Sequence, residues 1–444
     1  MGRKVVKFGG SSLAGSEQFL KARDIILSDP ERQLVIVSAP GKYGLYSDKV
    51  TDLLYRWYDT CQKGAEDNGL FRTIWARFTD IQEGLGLSVD LETILNDIRG
   101  KVRSGASVDF CVSRGEYLSG LLMSALLGFE FIDPQTVILF NTHGQFDSEA
   151  TQEVFSQRLA KGIKAVIPGF YGGSPDGQVH VFPRGGSDIS GAITARAAFA
   201  DVYENWTDVP GFLMADPRVV ANPAEIESIT YRELRELSYS GASVLHEDAV
   251  FPVHRAGIPT IIRDTNRPLH PGTRITYDAE GVPPNRTITG IAGKKGFSVI
   301  SIDKAMMNAE LGFGRRVLEV IEKEGILFEH LPTGIDTMCV VVPEAALVGK
   351  RERIIADIVA STNPDTIVVH DHMAIIATVG RGMVQTHGTA ARLFSAISKA
   401  GVNIRMIDQG SSEISIIVGV HDMDYDKTIR AIYGEFADSD HKGG

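Results

Sequence analysis

Lys7-Phe8-Gly9-Gly10-Ser11-Ser12 decides how the rest of this chain is read. It follows Val5-Val6, so a short apolar strand runs straight into a cation, two glycines and two hydroxyls. Glycine lets backbone N–H groups approach an anion with no Cβ in the way. Lysine adds a mobile positive charge. Serines that open a helix supply donors where the helix end itself favours an anion. The combination is a phosphate-handling design. Taken alone, the six residues fit a tight strand-to-helix turn with a surface lysine equally well, so the weight falls on what accompanies them.

Outward from this stretch, apolar strands alternate with helical segments as far as residue 285. Strands are expected at Leu34–Val37, Val137–Phe140, Ala165–Ile167, Val202–Trp206 and Thr260–Arg263, and helices at Glu17–Ser28, Asp48–Cys61 and Glu116–Leu127. That order predicts an α/β domain, residues 1–285, with a mainly parallel sheet sandwiched by helices. Ligands of such sheets bind at the carboxyl ends of the strands. Residues 279–286 are a turn-rich linker. Beyond it the pattern becomes βαββαβ: strand Phe297–Ile302, helix Phe313–Glu324, strands Ile326–Leu331 and Thr337–Val342, helix Val348–Ala360, strand Thr366–His370. It then restarts with Met373–Val379, Thr389–Ala400, Val402–Ile407, Glu413–Val420 and helix Tyr425–Phe436. Gly325 and Gly401 each end a helix before a strand, an echo of one unit in the other. Residues 286–444 are therefore read as two ferredoxin-like units, about 297–371 and 372–440, with residues 287–291 completing the second.

Bulk properties narrow the class. With 444 residues the chain exceeds one ordinary core, and about two to four domains are expected. The formal net charge of -11 argues against a nucleic-acid binder, which needs a basic face. Cys61, Cys111 and Cys339 offer neither a disulfide framework nor metal-ligand spacing, so no metal site is expected, and a reducing compartment fits. No run approaches the roughly 18 apolar residues of a membrane span, and Lys7 with its glycines interrupts any signal core. The expectation is a cytoplasmic protein without membrane or nucleic-acid partners.

Three further clusters lie after predicted strands or before predicted helices. In Ser113-Arg114-Gly115-Glu116-Tyr117-Leu118 the glycine is read as the turn before a helix, with Glu116 in its first turn. Glu116 is then either a helix-capping acid or the acceptor of a substrate ammonium. Arg184-Gly185-Gly186-Ser187-Asp188 is an anion site at a helix start, where Arg184 can grip a carboxylate with two parallel bonds. Thr207-Asp208-Val209-Pro210-Gly211 and Asp216-Pro217-Arg218 are turns carrying polar groups suited to a nucleotide. No G-x-x-x-x-G-K-[ST] stretch and no protein-kinase motif set is present, so a phosphotransferase here has another design.

On these residues the chain resembles the aspartokinases of the amino-acid kinase superfamily. Lys7–Ser12 resembles the K-F-G-G-[ST]-S signature, and Val37-Ser38 and Thr51-x-Leu53-Leu54 resemble the family's next two segments. Ser113–Leu118 resembles its R-G-E segment, and Gly169-Phe170 and Arg184–Asp188 its G-F and R-G-G-S-D segments. Trp206–Gly211 and Ala215–Arg218 resemble T-D-V-x-G and [TA]-D-P-R. The paired C-terminal units resemble ACT domains, which sense amino acids.

The resemblance implies transfer of the γ-phosphoryl of ATP to the β-carboxylate of L-aspartate, with Mg²⁺ on the phosphates. The product is 4-phospho-L-aspartate, and the step opens lysine, threonine and methionine biosynthesis. It places Lys7, Gly9, Gly10 and Asp188 at the transferring group. Ser38, Thr51, Glu116, Arg184 and Ser187 fall on aspartate, and Lys7, Gly10, Ser11, Thr207, Asp208 and Arg218 on ATP. L-lysine is the first choice of feedback effector and threonine the second, with Met307, Phe328, Glu329, Gly334, Ile335 and Asp336 at the effector site. A homodimer or tetramer joined through the ACT units is also implied. The alternatives are a kinase of glutamate and a non-catalytic amino-acid sensor. One departure stands out: where the family has G-A-K-V-L-H-P, this chain reads Gly241-Ala242-Ser243-Val244-Leu245-His246-Glu247.

Overall fold

The computed structural model describes residues 2–44, 46–64, 69–159, 162–183, 185–242, 251–277 and 286–437. Arg184 and the stretch from Ser243 through Glu247 lie outside the described residues. The chain divides into two compact, discontinuous units. The first holds the described residues of Met1–Phe212, Glu227–Tyr231 and Val244–Ala279, and the second those of Leu213–Ile226, Arg232–Ser243 and Glu280–Gly444.

Strands of the first unit are β1 (Lys4–Phe8), β2 (Arg32–Val37), β3 (Glu130–Phe131), β4 (Ala165–Pro168), β5 (Tyr171–Gly173), β6 (Val179–Val181), β7 (Val202–Thr207), β8 (Ser228–Thr230), β9 (Thr260–Asp264) and β10 (Thr273–Thr276). Its helices are α1 (Ser16–Leu27), α2 (Val50–Gln62), α3 (Leu70–Leu85), α4 (Leu91–Arg103), α5 (Val108–Leu127), α6 (Ser148–Arg158), α7 (Gly186–Ala197) and α9 (Phe251–Arg255), while α8 (Tyr231–Tyr239) begins in this unit. Eight strands form one sheet in the order β3-β4-β2-β1-β7-β9-β10-β8, parallel except at the β9–β10 pairing. Val5, Val6, Phe8 and Leu34 through Val37 are fully buried. Runs so continuously apolar form central parallel strands, because helices cover both faces. The chain order moves outward from β1 to β2 and β4, then returns to its other side with β7. That reversal opens a crevice at the carboxyl ends of β1 and β7.

Two expectations in this unit are corrected. Val137–Phe140 is not a sheet strand: it makes single bridges from Leu139 to Gly173 and from Phe140 to Phe146. The Leu139 N–H is taken instead by the Thr151 hydroxyl of α6 at 2.8 Å. The R-G-E segment is not a turn before a helix, and Glu116 is not in a first turn. Gly115 and Glu116 lie inside α5, which starts at Val108 under the side-chain cap of Ser107. Gly115 serves close packing: a Cβ there would sit 2.7 Å from the Ala39 Cβ.

Arg77, which the apolar spacing of α3 does not single out, is buried at 1% exposure. Its guanidinium donates to the carbonyls of Asp48 (2.8 Å), Ala14 (3.2 Å) and Gly41. It thereby ties the loops after β1 and β2 to α3.

The second unit has strands β11 (Gly290–Asp303), β12 (Thr337–Pro343), β13 (Thr366–Val379), β14 (Met406–Asp408) and β15 (Ser415–His421), with helices α10 (Phe313–Lys323), α11 (Arg351–Thr362), α12 (Thr389–Lys399) and α13 (Tyr425–Ala437). The strands make one antiparallel sheet, β12-β11-β13-β15-β14. β11 and β13 are long enough to serve both ferredoxin-like units: Phe297 opposes Pro343, and Met373 opposes His421 in the same relation. Residues 290–294 of β11 pair with 375–379 of β13. Gly325 (φ 65°) and Gly401 (φ 66°) follow the equivalent helices α10 and α12 in the left-handed region that favours glycine. The repeat also makes Glu344 and Asp422 equivalent, each one residue past its strand, and their ligand atoms lie within 4.8 Å of each other and of His372. Both carboxylates already accept backbone N–H groups, of His372 and Gly296. Two strands expected in this unit shrink. Ile326–Leu331 makes only the His330–Val341 bridge, and Val402–Ile407 becomes the three-residue β14. Thr366–His370 and Met373–Val379 fuse into β13. No helix among the described residues is long and apolar enough to cross a membrane.

Arg77→Met should cost roughly 3 kcal/mol or more, because it strands carbonyls that the guanidinium satisfies in a buried place. Urea unfolding checks this; an unchanged midpoint contradicts the stapling role.

Candidate active site

β1 delivers Lys7 to the centre of the sheet, where its side chain is nearly buried. Its Nζ lies 2.5 Å from Asp188 Oδ1 and 3.4 Å from Asn205 Oδ1. Asp188 sits in the first turn of α7. That helix has Gly185 at its N-cap with no side-chain cap, so Asp188 is the partner of Lys7 rather than a cap. The Tyr203 hydroxyl donates to the Asp188 carbonyl at 3.2 Å and fixes this turn over β7.

Beyond Lys7 the backbone carries no side chains, but the expected Gly9 donor is corrected: its N–H donates to the Trp206 carbonyl at 3.0 Å, extending the β1–β7 ladder. A Cβ on Gly9 would stand 3.6 Å from the Lys7 Nζ, and one on Gly10 would meet the Ala39 carbonyl at 2.8 Å. The Gly41 N–H donates to the Gly10 carbonyl at 2.7 Å, closing the β1 loop onto the β2 loop. Gly10 through Leu13 form a single 3₁₀ turn, with Ser11 exposed and Ser12 buried. Ser12 Oγ lies 3.2 Å from Thr265 Oγ1, whose hydroxyl also donates to the Thr207 carbonyl at 2.9 Å. The carboxyl ends of β1, β7 and β9 are thus linked. Thr207 in turn donates to Asp208 at 3.2 Å.

On the other side, Ser38 follows β2 and donates its N–H to the Phe8 carbonyl at 3.2 Å. Thr51 stands in the first turn of α2. Ser187 on α7 packs beside Gly169, where a Cβ would meet the Ser187 Cβ at 2.7 Å. Glu116 reaches the same loop from mid-helix, its carboxylate accepting the Ala39 N–H. Its Oε2 is buried with no hydrogen-bond partner among the described residues. Burial pushes this carboxyl up to about 8, against smaller opposing effects of the Ala39 N–H and Arg114. Arg114 faces aromatic rings, with Phe110, Tyr117 and Tyr171 around its guanidinium.

The first unit therefore joins Lys7, Gly9, Gly10 and Asp188 directly and surrounds them with Ser11, Ser38, Ser187, Thr207 and Glu116. Arg184 lies outside the described residues. Arg218 belongs to the second unit, is exposed, and is held by Asp216 at 2.6 Å. Sequence reasoning missed Asn205 and Thr265. Asn205 left one signal, a short amide inside an otherwise strand-forming run. In the second unit, Asp336 Oδ1 accepts the Met306 N–H at 2.9 Å and the Ile335 carbonyl accepts the Asn308 N–H, so Met307 lies beside Gly334, Ile335 and Asp336. Phe328 and Glu329 sit earlier in the same segment, where the Glu329 N–H donates to the Val341 carbonyl.

A cation, open amides and a buried carboxylate with one empty oxygen can hold a phosphoryl group beside a small molecule bearing an ammonium. Comparison with known proteins agrees with this chemistry. Residues 2–264 match the amino acid kinase family, and residues 376–436 match the ACT domain. Aspartokinase 3 of Bacillus subtilis (strain 168) is 39% identical, over 98% of this chain and 98% of its own. The crystal structure of Clostridium acetobutylicum aspartate kinase, described as an allosteric enzyme, is 48% identical with a TM-score of 0.90, covering 98% of this chain and 100% of that one. E. coli aspartokinase III in complex with aspartate and ADP (R-state) is 25% identical with a TM-score of 0.74, covering 98% and 99%. Its T-state complex with lysine and aspartate matches with the same score and identity, covering 97% and 99%.

Glu116 makes a prediction that needs no ligand. Its carboxyl is raised in the folded chain, so the folded state binds the extra proton and stability falls as pH rises from about 4.5 to about 8. Glu116→Gln should be neutral at pH 5 and stabilising at pH 8, by roughly 2–4 kcal/mol. Thermal unfolding at both pH values checks this; equal effects at pH 5 and 8 contradict it.

Proposed function

The chain belongs to the aspartokinases of the amino acid kinase family, and from that membership we propose how its own residues divide the work of an ATP-dependent aspartate kinase. The observation that carries the assignment is the Lys7–Asp188 pair, 2.5 Å long, beside the side-chain-free backbone of Gly9 and Gly10. Lys7 and the Gly10 and Ser11 amides receive the outermost phosphate of Mg²⁺·ATP, while the Gly9 N–H stays on the Trp206 carbonyl. Thr207 and Asp208 line the nucleotide's side of the crevice, with Arg218 assigned to it by family resemblance. The site fits a polyphosphate because Gly9 leaves the space beside the Lys7 ammonium clear, while Gly10 is bare so that the β1 loop can close against the Ala39 carbonyl. Mg²⁺ arrives on the phosphates and needs few protein ligands.

Glu116 binds the ammonium of L-aspartate, and Arg184, assigned by resemblance, its α-carboxylate. Ser38, Thr51 and Ser187 complete that pocket. One oxygen of the β-carboxylate attacks the γ-phosphorus. The new O–P bond forms as the bond to the β,γ-bridging oxygen breaks, and ADP leaves. The nucleophile is already an anion, so no proton is removed. The protein's task is to position the two substrates and neutralise charge.

L-lysine is the proposed feedback effector. The ACT match and the lysine-bound T-state of the E. coli relative support it. Met307, Phe328, Glu329, Gly334, Ile335 and Asp336 are assigned to its site, where Glu329 and Asp336 suit a cationic side chain. Pairing of copies through the five-stranded sheet, to a dimer or tetramer, belongs to the same proposal and rests on the ACT resemblance.

Trapping the acyl phosphate with hydroxylamine tests the reading. Aspartate should give hydroxamate and glutamate should not, and added lysine should suppress the rate where threonine does not. Hydroxamate from neither acid overturns the enzyme assignment; an unchanged rate with lysine overturns the effector. Lys7→Ala should lower kcat by roughly 100-fold or more. Aspartate binding should also release protons near pH 7, because the incoming ammonium favours the ionised Glu116. Apparent affinity should tighten as pH rises toward 8. Calorimetry in buffers of different ionisation enthalpy reads this, and a buffer-independent enthalpy contradicts it.

A further inference from the structure

We infer that Asn205 is a positioning residue that aims the Lys7 ammonium at the transferring phosphoryl group. Asn205 stands inside β7, directly across the ladder from Lys7 in the β1–β7 register, so the two side chains share a face. Asparagine is a poor strand residue, and a buried amide is costly unless both its ends are bonded. Here it is 3% exposed and both ends are used. Its Oδ1 accepts from Lys7 Nζ at 3.4 Å, and its Nδ2 donates to Asp188 Oδ1 at 2.8 Å. Lysine has only donors and an ionised carboxylate only acceptors, so the amide can point just one way.

The consequence is directional. An ammonium has three N–H bonds. Asp188 takes one and Asn205 a second, which leaves a single N–H and sets where it points. The open side is that of Gly9, whose missing Cβ would have stood 3.6 Å from Nζ. Asn205 also occupies a lone pair of the carboxylate oxygen that holds Lys7, restraining Asp188 from drawing the ammonium out of line. With apolar or absent side chains at position 205, Lys7 keeps its charge but pivots about one partner. Charge without aim binds ground-state nucleotide and loses rate, because misplacement of a reacting group by about an ångström is enough to slow the step.

This inference rests on the reading of Lys7 as the phosphoryl-holding cation, and the test separates the two. Wild-type chain and the Asn205→Ala, Asn205→Ser and Asn205→Asp variants are assayed by hydroxamate formation at saturating and limiting substrates, with thermal unfolding in parallel. Asn205→Ala should lower kcat roughly tenfold or more, with KM for ATP and for aspartate within about twofold of wild type. Asn205→Ser keeps a group that both donates and accepts, so its kcat should lie between alanine and wild type. Asn205→Asp accepts from Lys7 but cannot donate to Asp188, so it should be the slowest of the three. A folded Asn205→Ala variant with wild-type kcat overturns the inference. So does a kcat order in which aspartate matches asparagine, an outcome readable even if the alanine variant fails to fold. Loss confined to melting temperature, with kcat per folded site intact, also overturns it and leaves Asn205 a structural amide. No hydroxamate from wild type would instead overturn the functional reading beneath it.

Discussion

The contact between Lys7 and Asp188 is the constraint on which the catalytic unit depends. A cation from the middle of the sheet and a carboxylate from the first turn of α7 meet at 2.5 Å. That meeting requires β1 to lie between β2 and β7, and α7 to press its amino end on the face shared by Lys7, Tyr203 and Asn205. Once those conditions hold, the loops after β1, β2, β7 and β9 converge without further instruction. The opposite face of the same strands carries a different device. Glu204, 2% exposed, accepts from Arg32, Arg263 and the Trp206 indole. Alternation along a strand thus separates a structural ion cluster from a functional one by a single residue.

Glu116 shows how such a site is maintained against stability. A carboxylate with an unpartnered oxygen inside a helix is an unfavourable thing to bury. Burial therefore favours the protonated form and pushes this carboxyl up to about 8. Gly115 lets α5 lie against the Ala39 loop, and the Ala39 N–H is the largest of the effects that favour the charge there. The same loop touches Gly10 through Gly41, so Glu116 and the glycine turn after β1 share a backbone support.

Much of this was legible in the residues, and the failures are instructive. Leu34–Val37 and Ala165–Ile167 declared themselves by continuous apolar runs, and the Lys7 and Val202–Trp206 strands by β-branched and aromatic residues flanking their polar ones. Gly115 misled because glycine beside a polar triplet usually breaks a helix, whereas here its smallness is needed against Ala39. Val137–Phe140 has strand composition, yet a helix hydroxyl captured its N–H before a neighbour could. Asn205 was read as part of a strand, because its partner across the ladder is nearly two hundred residues away in the chain and no local pattern records that pairing. Arg77 escaped notice for the same reason: the carbonyls it satisfies belong to loops that only the fold brings together. In the second unit the repeat was visible through Gly325 and Gly401. The sharing of β11 and β13 by both halves was less so, since a strand's length is set by what it finds to pair with.

A structure of the protein with a non-hydrolysable ATP analogue and L-aspartate bound tests the central claim most directly. The account predicts the outermost phosphate against the Lys7 ammonium and the Gly10 and Ser11 amides, with the aspartate ammonium on Glu116. A phosphate bound away from Lys7, or an aspartate whose ammonium turns from Glu116, would contradict it.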